Sequence, residues 1–292
     1  MIEHSFLFVI NPKAGLGRNH LLEKMIRDQA NSSRIKIEIR FTAKAGDAAA
    51  FAQEAVDRRM GCVVAVGGDG TINEIASKTM LSATAIGIVP GGSGNGLARH
   101  YNIPLNPYHA IQRVFLMKGK LQDAVSINGM MSFNISGIGL DAKIAQHFGE
   151  NGKRGFGSYM KLLIRELPSY EPHSMKIKFQ DQVIEDKYLM ACICTGSQFG
   201  NNARINPHGD PIDRKTELVC VNDVPFYGVP RTIARAFSGD ISKSKYVHTM
   251  QQNNFTISCD TPAPLHIDGE PKGYHNEFIV ESKPESLYII VA

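Results

Sequence analysis

Short apolar runs alternate with helical patterns over the first 120 residues. Phe6-Leu7-Phe8-Val9-Ile10, Cys62-Val63-Val64-Ala65-Val66 and Ala85-Ile86-Gly87-Ile88-Val89 carry no charge, the pattern of strands covered on both faces. Ile35 to Phe41 alternates instead, as a half-covered strand does. Between these runs, Leu21, Leu22, Met25 and Ile26 fall on one helical face, as do Phe51, Ala55 and Val56 behind a capping Asp47. Ile72, Ile75, Ala76 and Met80 make another stripe, and Ile111, Val114 and Phe115 a fourth within Tyr108–Lys118. Strand followed by helix, repeated, predicts an α/β domain with a parallel sheet covered by helices. The pattern changes near Gly119. Ala124–Ile127, Asn128-Gly129 and Met130–Ile135 spell a type I′ hairpin. Beyond residue 170 the segments Met175–Phe179, Tyr188–Thr195, Glu217–Val221, Phe255–Ser258 and Pro264–Ile267 are short and strand-like, predicting a mainly antiparallel β-sandwich. Helical exceptions are Ser158–Leu167 and Val229–Phe237, and a last strand runs from Ser286 to Val291.

Composition supports packed cores: 43% of the 292 residues are hydrophobic. Lys+Arg 32 against Asp+Glu 28 leaves a net charge of +4, too little to argue for nucleic acid and compatible with visits to an anionic membrane. Cysteines 62, 192, 194, 220 and 259 are odd in number and form no C-x-x-C pair, so they read as small buried residues in a reducing compartment. Met1-Ile2-Glu3-His4 leads directly into a strand, unlike a signal peptide, and no apolar run nears the roughly 20 residues a bilayer span needs.

The chemistry gathers in three glycine-rich turns. Gly67-Gly68-Asp69-Gly70-Thr71-Ile72-Asn73-Glu74 follows the second uncharged run and opens a helix, where free N–H groups and the positive end of the dipole receive phosphate. Asp69 in that turn would repel phosphate unless a cation lay between them, which points to a nucleotide with Mg²⁺. A plainer reading stays open: Thr71 and Glu74 fit a capping box, and the glycines a tight turn. Pro90-Gly91-Gly92-Ser93-Gly94-Asn95-Gly96 follows the third run, and Asn11-Pro12-Lys13-Ala14-Gly15-Leu16-Gly17-Arg18 the first. Three such turns would meet at the carboxyl edge of one sheet, where open α/β folds bind ligands. The P-loop pattern is absent. Gly137-Ile-Gly139-Leu-Asp-Ala142 matches a dinucleotide fingerprint but follows a hairpin strand, so it reads as a packed turn. Cys192 and Cys194 lack a second ligand pair for zinc.

Asn11-Pro12-x-x-Gly15, Gly67–Thr71 with Asn73-Glu74, and Pro90-Gly-Gly-Ser93-Gly-Asn95 resemble the signature turns of the diacylglycerol kinase and sphingosine kinase catalytic-domain family, nearest to the bacterial soluble lipid kinases. The resemblance extends through Asp123, Asn134-x-x-Gly137-x-Gly139, Asn206-Pro207 to Leu218, and Ile267-Asp268-Gly269-Glu270, so it covers essentially the whole chain. The Gly67–Thr71 turn alone is shared with NAD kinases. The resemblance implies an NAD-kinase-like nucleotide domain over 1–122, completed by 280–292, and a lipid-substrate sandwich over 123–279. It implies ATP held by Asn11, Pro12, Lys13, Ala14, Gly15, Thr42, Gly67, Gly68, Asp69, Gly70, Thr71, Ile72, Asn73, Glu74, Ser93, Gly94 and Asn95. Thr42 taken alone reads as a turn or cap residue.

The family carries its proton acceptor in the Asp-Gly-Glu motif, at Asp268 first and Glu270 second, although spacing alone would read Asp268-Gly269 as a hairpin turn. Catalytic Mg²⁺ would lie against Asp69 and Asp123. A structural ion would take the Asp213 carboxylate and the carbonyls of Asp210 and Lys215. Two positions depart from the family. Arg214 stands where glycine is usual, placing charge beside the structural site, and Asn95-Gly96 replaces the Asn-Asp of diacylglycerol kinases, which keeps sphingoid lipids in play. Phe156, Tyr159, Met160 and Leu163 with Lys153, Arg154, Lys161 and Arg165 read either as a docked helix or as an interfacial element, to which Arg231, Arg235, Lys243 and Lys245 would add attraction.

The expected protein is a cytoplasmic, transiently membrane-associated, ATP- and Mg²⁺-dependent kinase of a lipid hydroxyl. Diacylglycerol leads and a sphingoid base or related lipid follows; NAD kinase and a non-catalytic nucleotide- or lipid-binding module are the rivals. No nucleic-acid partner and no transmembrane segment are expected, and the reading allows a homodimer.

Overall fold

The uncharged runs become strands because every residue in them is covered. β1 (Ser5–Ile10), β3 (Cys62–Gly67) and β4 (Ala85–Pro90) are buried almost end to end, whereas β2 (Lys36–Phe41) is only half covered. The computed structural model describes residues 5–15, 19–147 and 156–291, and these divide into two compact units, 1–122 with 285–292 and 123–284. Gly17 and Arg18 of the opening turn, and Lys153 and Arg154 of the basic flank, lie outside the described residues, as does the Phe156 side chain.

In the first unit the order continues through α1 (Asn19–Ser33), α2 (Asp47–Asp57), α3 (Asp69–Thr79), α4 (Gly96–His100) and α5 (Pro107–Phe115). β1 pairs in parallel with β2 and β3, and β3 with β4. Register decides where the strands end. Ile10 is level with Phe41 and Val66, and Val66 with Val89, so Asn11, Thr42, Gly67 and Pro90 follow along a single edge. α5 is set by Asn106, whose side chain accepts from the Tyr108 N–H at 2.9 Å, with Pro107 at the first helical position.

The second unit contains β5 (Gly119–Ile127, shared with the first unit), β6 (Met130–Ser132), β7 (Ile135–Gly139), α6 (Leu140–His147), α7 (Phe156–Glu166), β8 (His173–Phe179), β9 (Gln182–Cys194), β10 (Glu217–Asn222), α8 (Val229–Ser238), β11 (Val247–Gln251), β12 (Asn254–Ile267) and β13 (Glu270–Ile290). The hairpin at Asn128-Gly129 forms with both residues at positive φ and Ile127 opposite Met130. β7 to β12 pair antiparallel with one another and with the first part of β13. The last residues of β13 belong to the first unit, where Ile289 pairs in parallel with Ile86. Pairing over the whole chain is therefore mixed. β10 is apolar on both sides: Leu218 and Cys220 enter one core while Val219 and Val221 enter another. Where the sequence suggested two strands around 255–267 there is one, carried past Pro262 by a register shift between Ser258 and Ala263.

Candidate active site

The three glycine turns touch one another. The Gly91 N–H donates to the Gly67 carbonyl at 2.7 Å, and the Gly15 N–H to the Gly91 carbonyl at 2.9 Å. Asn11 donates its N–H to the Val66 carbonyl at 3.0 Å, and its side-chain amide to the Thr71 hydroxyl at 3.3 Å. Glycine is required where the second and third turns cross: a Cβ on Gly92 would lie 2.6 Å from the Gly68 Cα. Asn95 closes the third turn in the left-handed region at φ 52°, accepting from the Gly92 N–H and donating to the Gly92 carbonyl, both at 2.8 Å. Ser93 is left exposed at its tip, with Gly94 beside it. The result is a ledge built mainly of backbone.

The capping-box alternative fails here. α3 has no side-chain cap at Gly68. Glu74 reaches instead to the start of α2, accepting from the Gly46 N–H at 3.1 Å and the Ala49 N–H at 3.4 Å. Asp47 does not cap that helix; its carboxylate takes the N–H groups of Ala43 and Lys44, which hold it below the ordinary carboxylate range. Among the nucleotide candidates, Ile72 points into the core and its N–H donates to the Gly68 carbonyl at 3.1 Å, Thr71 is covered, and Asn73 is half-buried. Pro12, Lys13 and Ala14 form the opening turn, and the Thr42 N–H donates to the Ile10 carbonyl at 2.9 Å, beside Asn11.

Asp69 is the first residue of α3, and Gly70 follows it in the open first turn. One carboxylate at the start of a helix with no side-chain cap could hold Mg²⁺, which binds through one or two carboxylates and substrate phosphates. Asp123, which the sequence paired with Asp69, has another engagement. It is fully buried in the second unit, donates its N–H to the Pro211 carbonyl at 2.7 Å and accepts the Arg214 N–H at 2.6 Å. It clamps the loop expected to hold a structural ion. That loop is closed by its own hydrogen bonds: the Asp210 carbonyl accepts from the Asp213 N–H at 3.2 Å, and the Asp213 carboxylate from the Lys215 N–H at 3.0 Å. No group of three or more His, Cys, Asp or Glu side chains poised for a metal occurs among the described residues. Arg214 takes φ 63°, the left-handed region where a glycine would cost nothing.

Asp268 and Gly269 turn the chain from β12 into β13 at φ 47° and 89°. The Asp268 carboxylate is held on both oxygens: Oδ1 accepts from the Ser132 hydroxyl at 2.8 Å and the Asn134 N–H at 3.1 Å, and Oδ2 from the Phe133 N–H at 2.9 Å. The Asp268 N–H donates to the Ser136 hydroxyl at 3.2 Å, which in turn donates to Ser132 at 2.8 Å. Glu270, two residues on, is exposed. The sequence placed Asp268 ahead of Glu270 as proton acceptor; the Asp268 carboxylate is the one engaged by three donors, and the Glu270 side chain is the one that faces solvent. Ser132 and Ser136 were missed because nothing in their local spacing announces a partner more than 130 residues away. Asn134 was flagged, and its carbonyl also receives the Thr195 N–H at 2.9 Å.

The fingerprint at Gly137 is a strand-to-helix junction after all, with Gly139 at φ 106° before α6. β7 nonetheless pairs antiparallel on both sides, so it is no dinucleotide-binding unit. The five thiols are buried and free, and burial raises those of Cys192 and Cys194 far above their ordinary value. The basic residues of the second unit are partly neutralised: Lys243 pairs with Asp240 at 2.6 Å, Arg165 with Glu166 at 2.7 Å, and Arg235 donates to the Lys243 carbonyl at 2.8 Å. No helix among the described residues is long and apolar enough to cross a membrane.

Residues 5–127 match the diacylglycerol kinase catalytic domain, and residues 134–291 match the YegS C-terminal NAD kinase beta sandwich-like domain. The chain belongs to the YegS-like branch of the diacylglycerol kinase catalytic-domain family. A Yersinia pestis protein named "Probable lipid kinase YegS-like" is 26% identical over 97% of this chain and 95% of its own length. One of the same name from Chromohalobacter salexigens is 25% identical over 86% of this chain and 82% of its own. A Bacillus anthracis structure described as a diacylglycerol kinase superposes with a TM-score of 0.76 at 21% identity, covering 99% of this chain and 97% of that one. A second structure from that organism reaches 0.82 at 22% identity, over 100% and 96%. At such identities these likenesses speak for the fold. Membership makes this chain a member of a lipid kinase family, with ATP as the family's phosphate donor.

Proposed function

We propose that this protein transfers the γ-phosphate of ATP to a lipid hydroxyl, with diacylglycerol as the leading acceptor and a sphingoid base as the second. The observation that carries the reading is the meeting of three glycine turns on one sheet edge, with Asp69 opening the uncapped helix there. The N–H groups of Gly68 to Thr71 and of the Ser93–Asn95 turn would receive the phosphates, Asn11 to Gly15 would wall the same edge, and Gly67 and Thr42 lie on it. Asp69 would hold Mg²⁺, which when bound neutralises charge on the phosphate oxygens. In the second unit Glu270 serves as proton acceptor, and Asp268 fixes the turn that presents it. The lipid oxygen bonds to the γ-phosphorus, the bond to the bridging oxygen breaks, ADP leaves and the hydroxyl proton passes to the carboxylate. Asp123 maintains the 211–214 loop, in which the Asp213 carboxylate and the Asp210 and Lys215 carbonyls would hold a structural ion.

With a lipid acceptor, the protein would work at a membrane surface, which it would reach from the cytoplasm. The test is radiolabelled ATP incubated with purified protein, Mg²⁺ and a bacterial lipid extract. Label in phosphatidic acid is the expected result. Label in a sphingoid or other lipid would replace the acceptor and keep the reaction. Label in NAD, or in no acceptor at all, would overturn it.

A further inference from the structure

His266 lies one residue before the end of β12 and is 3% exposed. Its Nδ1 is 3.1 Å from the Gly269 N–H, which can only donate. The proton of the neutral ring is therefore on Nε2, and Nε2 lies 3.1 Å from the Asp141 carboxylate. Asp141 is also 3% exposed; it accepts from the Ala142 N–H at 2.8 Å, in the first turn of α6, and from the Cys192 thiol at 3.5 Å. Both ring nitrogens are thus fixed, one by a carboxylate and one by the backbone of the turn that carries Asp268 and Glu270.

Space for the pair is built into β7. A Cβ on Gly137 would fall 1.8 Å from the Asp141 carboxylate and 2.8 Å from the His266 Nε2. The glycine in the middle of a strand is there for this contact. The turn is accordingly held from two sides: by the Asp268 carboxylate against Ser132, Phe133 and Asn134, and by the His266 ring under Gly269.

We propose that His266, oriented by Asp141, is a positioning residue that holds the Asp268-Gly269-Glu270 turn in the conformation needed for phosphoryl transfer. The pair acts through the Gly269 N–H and touches no substrate. The inference rests on the reading of Glu270 as proton acceptor, but its structural half can be tested without it. Nitrogen NMR of the folded protein reads the tautomer directly: a proton on Nε2 is expected, and a proton on Nδ1 overturns the proposal. Two variants separate positioning from packing. In His266→Asn the side-chain oxygen sits near the Nδ1 position and can still accept from Gly269, whereas in His266→Gln the amide nitrogen can still reach Asp141 but nothing faces Gly269. With both variants folded by thermal melting, His266→Gln should lose about 10- to 100-fold in kcat with little change in the KM for ATP. His266→Asn should recover most of that turnover. Equal turnover in the two variants would overturn the proposal. Should the wild-type protein phosphorylate no lipid, the proposed function fails first; faster hydrogen exchange at Gly269 in His266→Gln than in His266→Asn would still support the contact, and equal exchange would sink it.

Discussion

The two candidate regions are made of different material. The ledge of the first unit is backbone: its contacts run between main-chain groups of Gly15, Gly67, Gly68, Gly91 and Gly92, and of the side chains that help, Asn11 braces the second turn while Asn95 closes its own. The turn of the second unit is side chain: Asp268 is fixed by residues over 130 positions away, with partners that are themselves buried. A backbone site has to be written in glycines, so it stands out in the sequence. A side-chain site uses Ser, His and Asp, which look the same in a core network as in any loop. The contrast predicts different sensitivities. The ledge should fail when bulk is added, and the turn when a donor or acceptor is exchanged.

The largest effects should come from the ledge and from Glu270. Asp69→Ala is expected to remove Mg²⁺-dependent transfer, by about 10³-fold or more, because the metal charge is lost from the transition state; a variant within tenfold of wild type would remove Asp69 from that role. Glu270→Gln should lower kcat by about 10²- to 10⁴-fold while nucleotide binding by calorimetry is kept. Asp268→Asn puts an amide where three donors converge, so it should cost about 1–3 kcal/mol of folding stability in urea titration, with a smaller kcat loss than Glu270→Gln. The reverse ranking of the two would return the proton acceptor to Asp268.

How much was legible follows the same division. β1, β3, β4 and the turns after them were readable because uncharged runs and clustered glycines are local signals. The Asn128-Gly129 hairpin was readable for the same reason. β7 and α6 were not, since Ile135-Ser-Gly-Ile-Gly carries two glycines and too few branched residues to read as a strand. The breadth of β12 was hidden by Pro262, which interrupts pairing without ending the strand. Within the site, the resemblance placed a carboxylate in the Asp-Gly-Glu turn, but which one is free to take a proton depends on hydrogen bonds to β6 and β7 that no spacing records.

Smaller effects sharpen the comparison away from both regions. Arg214→Gly relieves a left-handed residue and should stabilise the protein by about 1 kcal/mol in chemical denaturation, leaving turnover unaltered; a destabilised variant would mean that the Arg214 side chain repays its backbone strain. Glu217 is 4% exposed, and burial holds its carboxyl above the ordinary value despite hydrogen bonds from Gln251 and Asn206. A raised folded value means that its contribution is fully present below the unfolded value near 4.5 and is lost as pH rises through the folded one. Glu217→Gln should therefore flatten the melting temperature against pH between mildly acidic and neutral conditions. An unchanged slope would assign the pH dependence elsewhere.

The central claim is that main-chain amides of the second and third glycine turns, braced by the first, grip the phosphates of ATP. A crystal structure of the protein with Mg²⁺ and a non-hydrolysable ATP analogue tests it most directly. The account predicts the terminal phosphates against the N–H groups of residues 68–71 and 93–94, with the ion on the Asp69 carboxylate. Nucleotide bound anywhere else, with those turns bare, would contradict it.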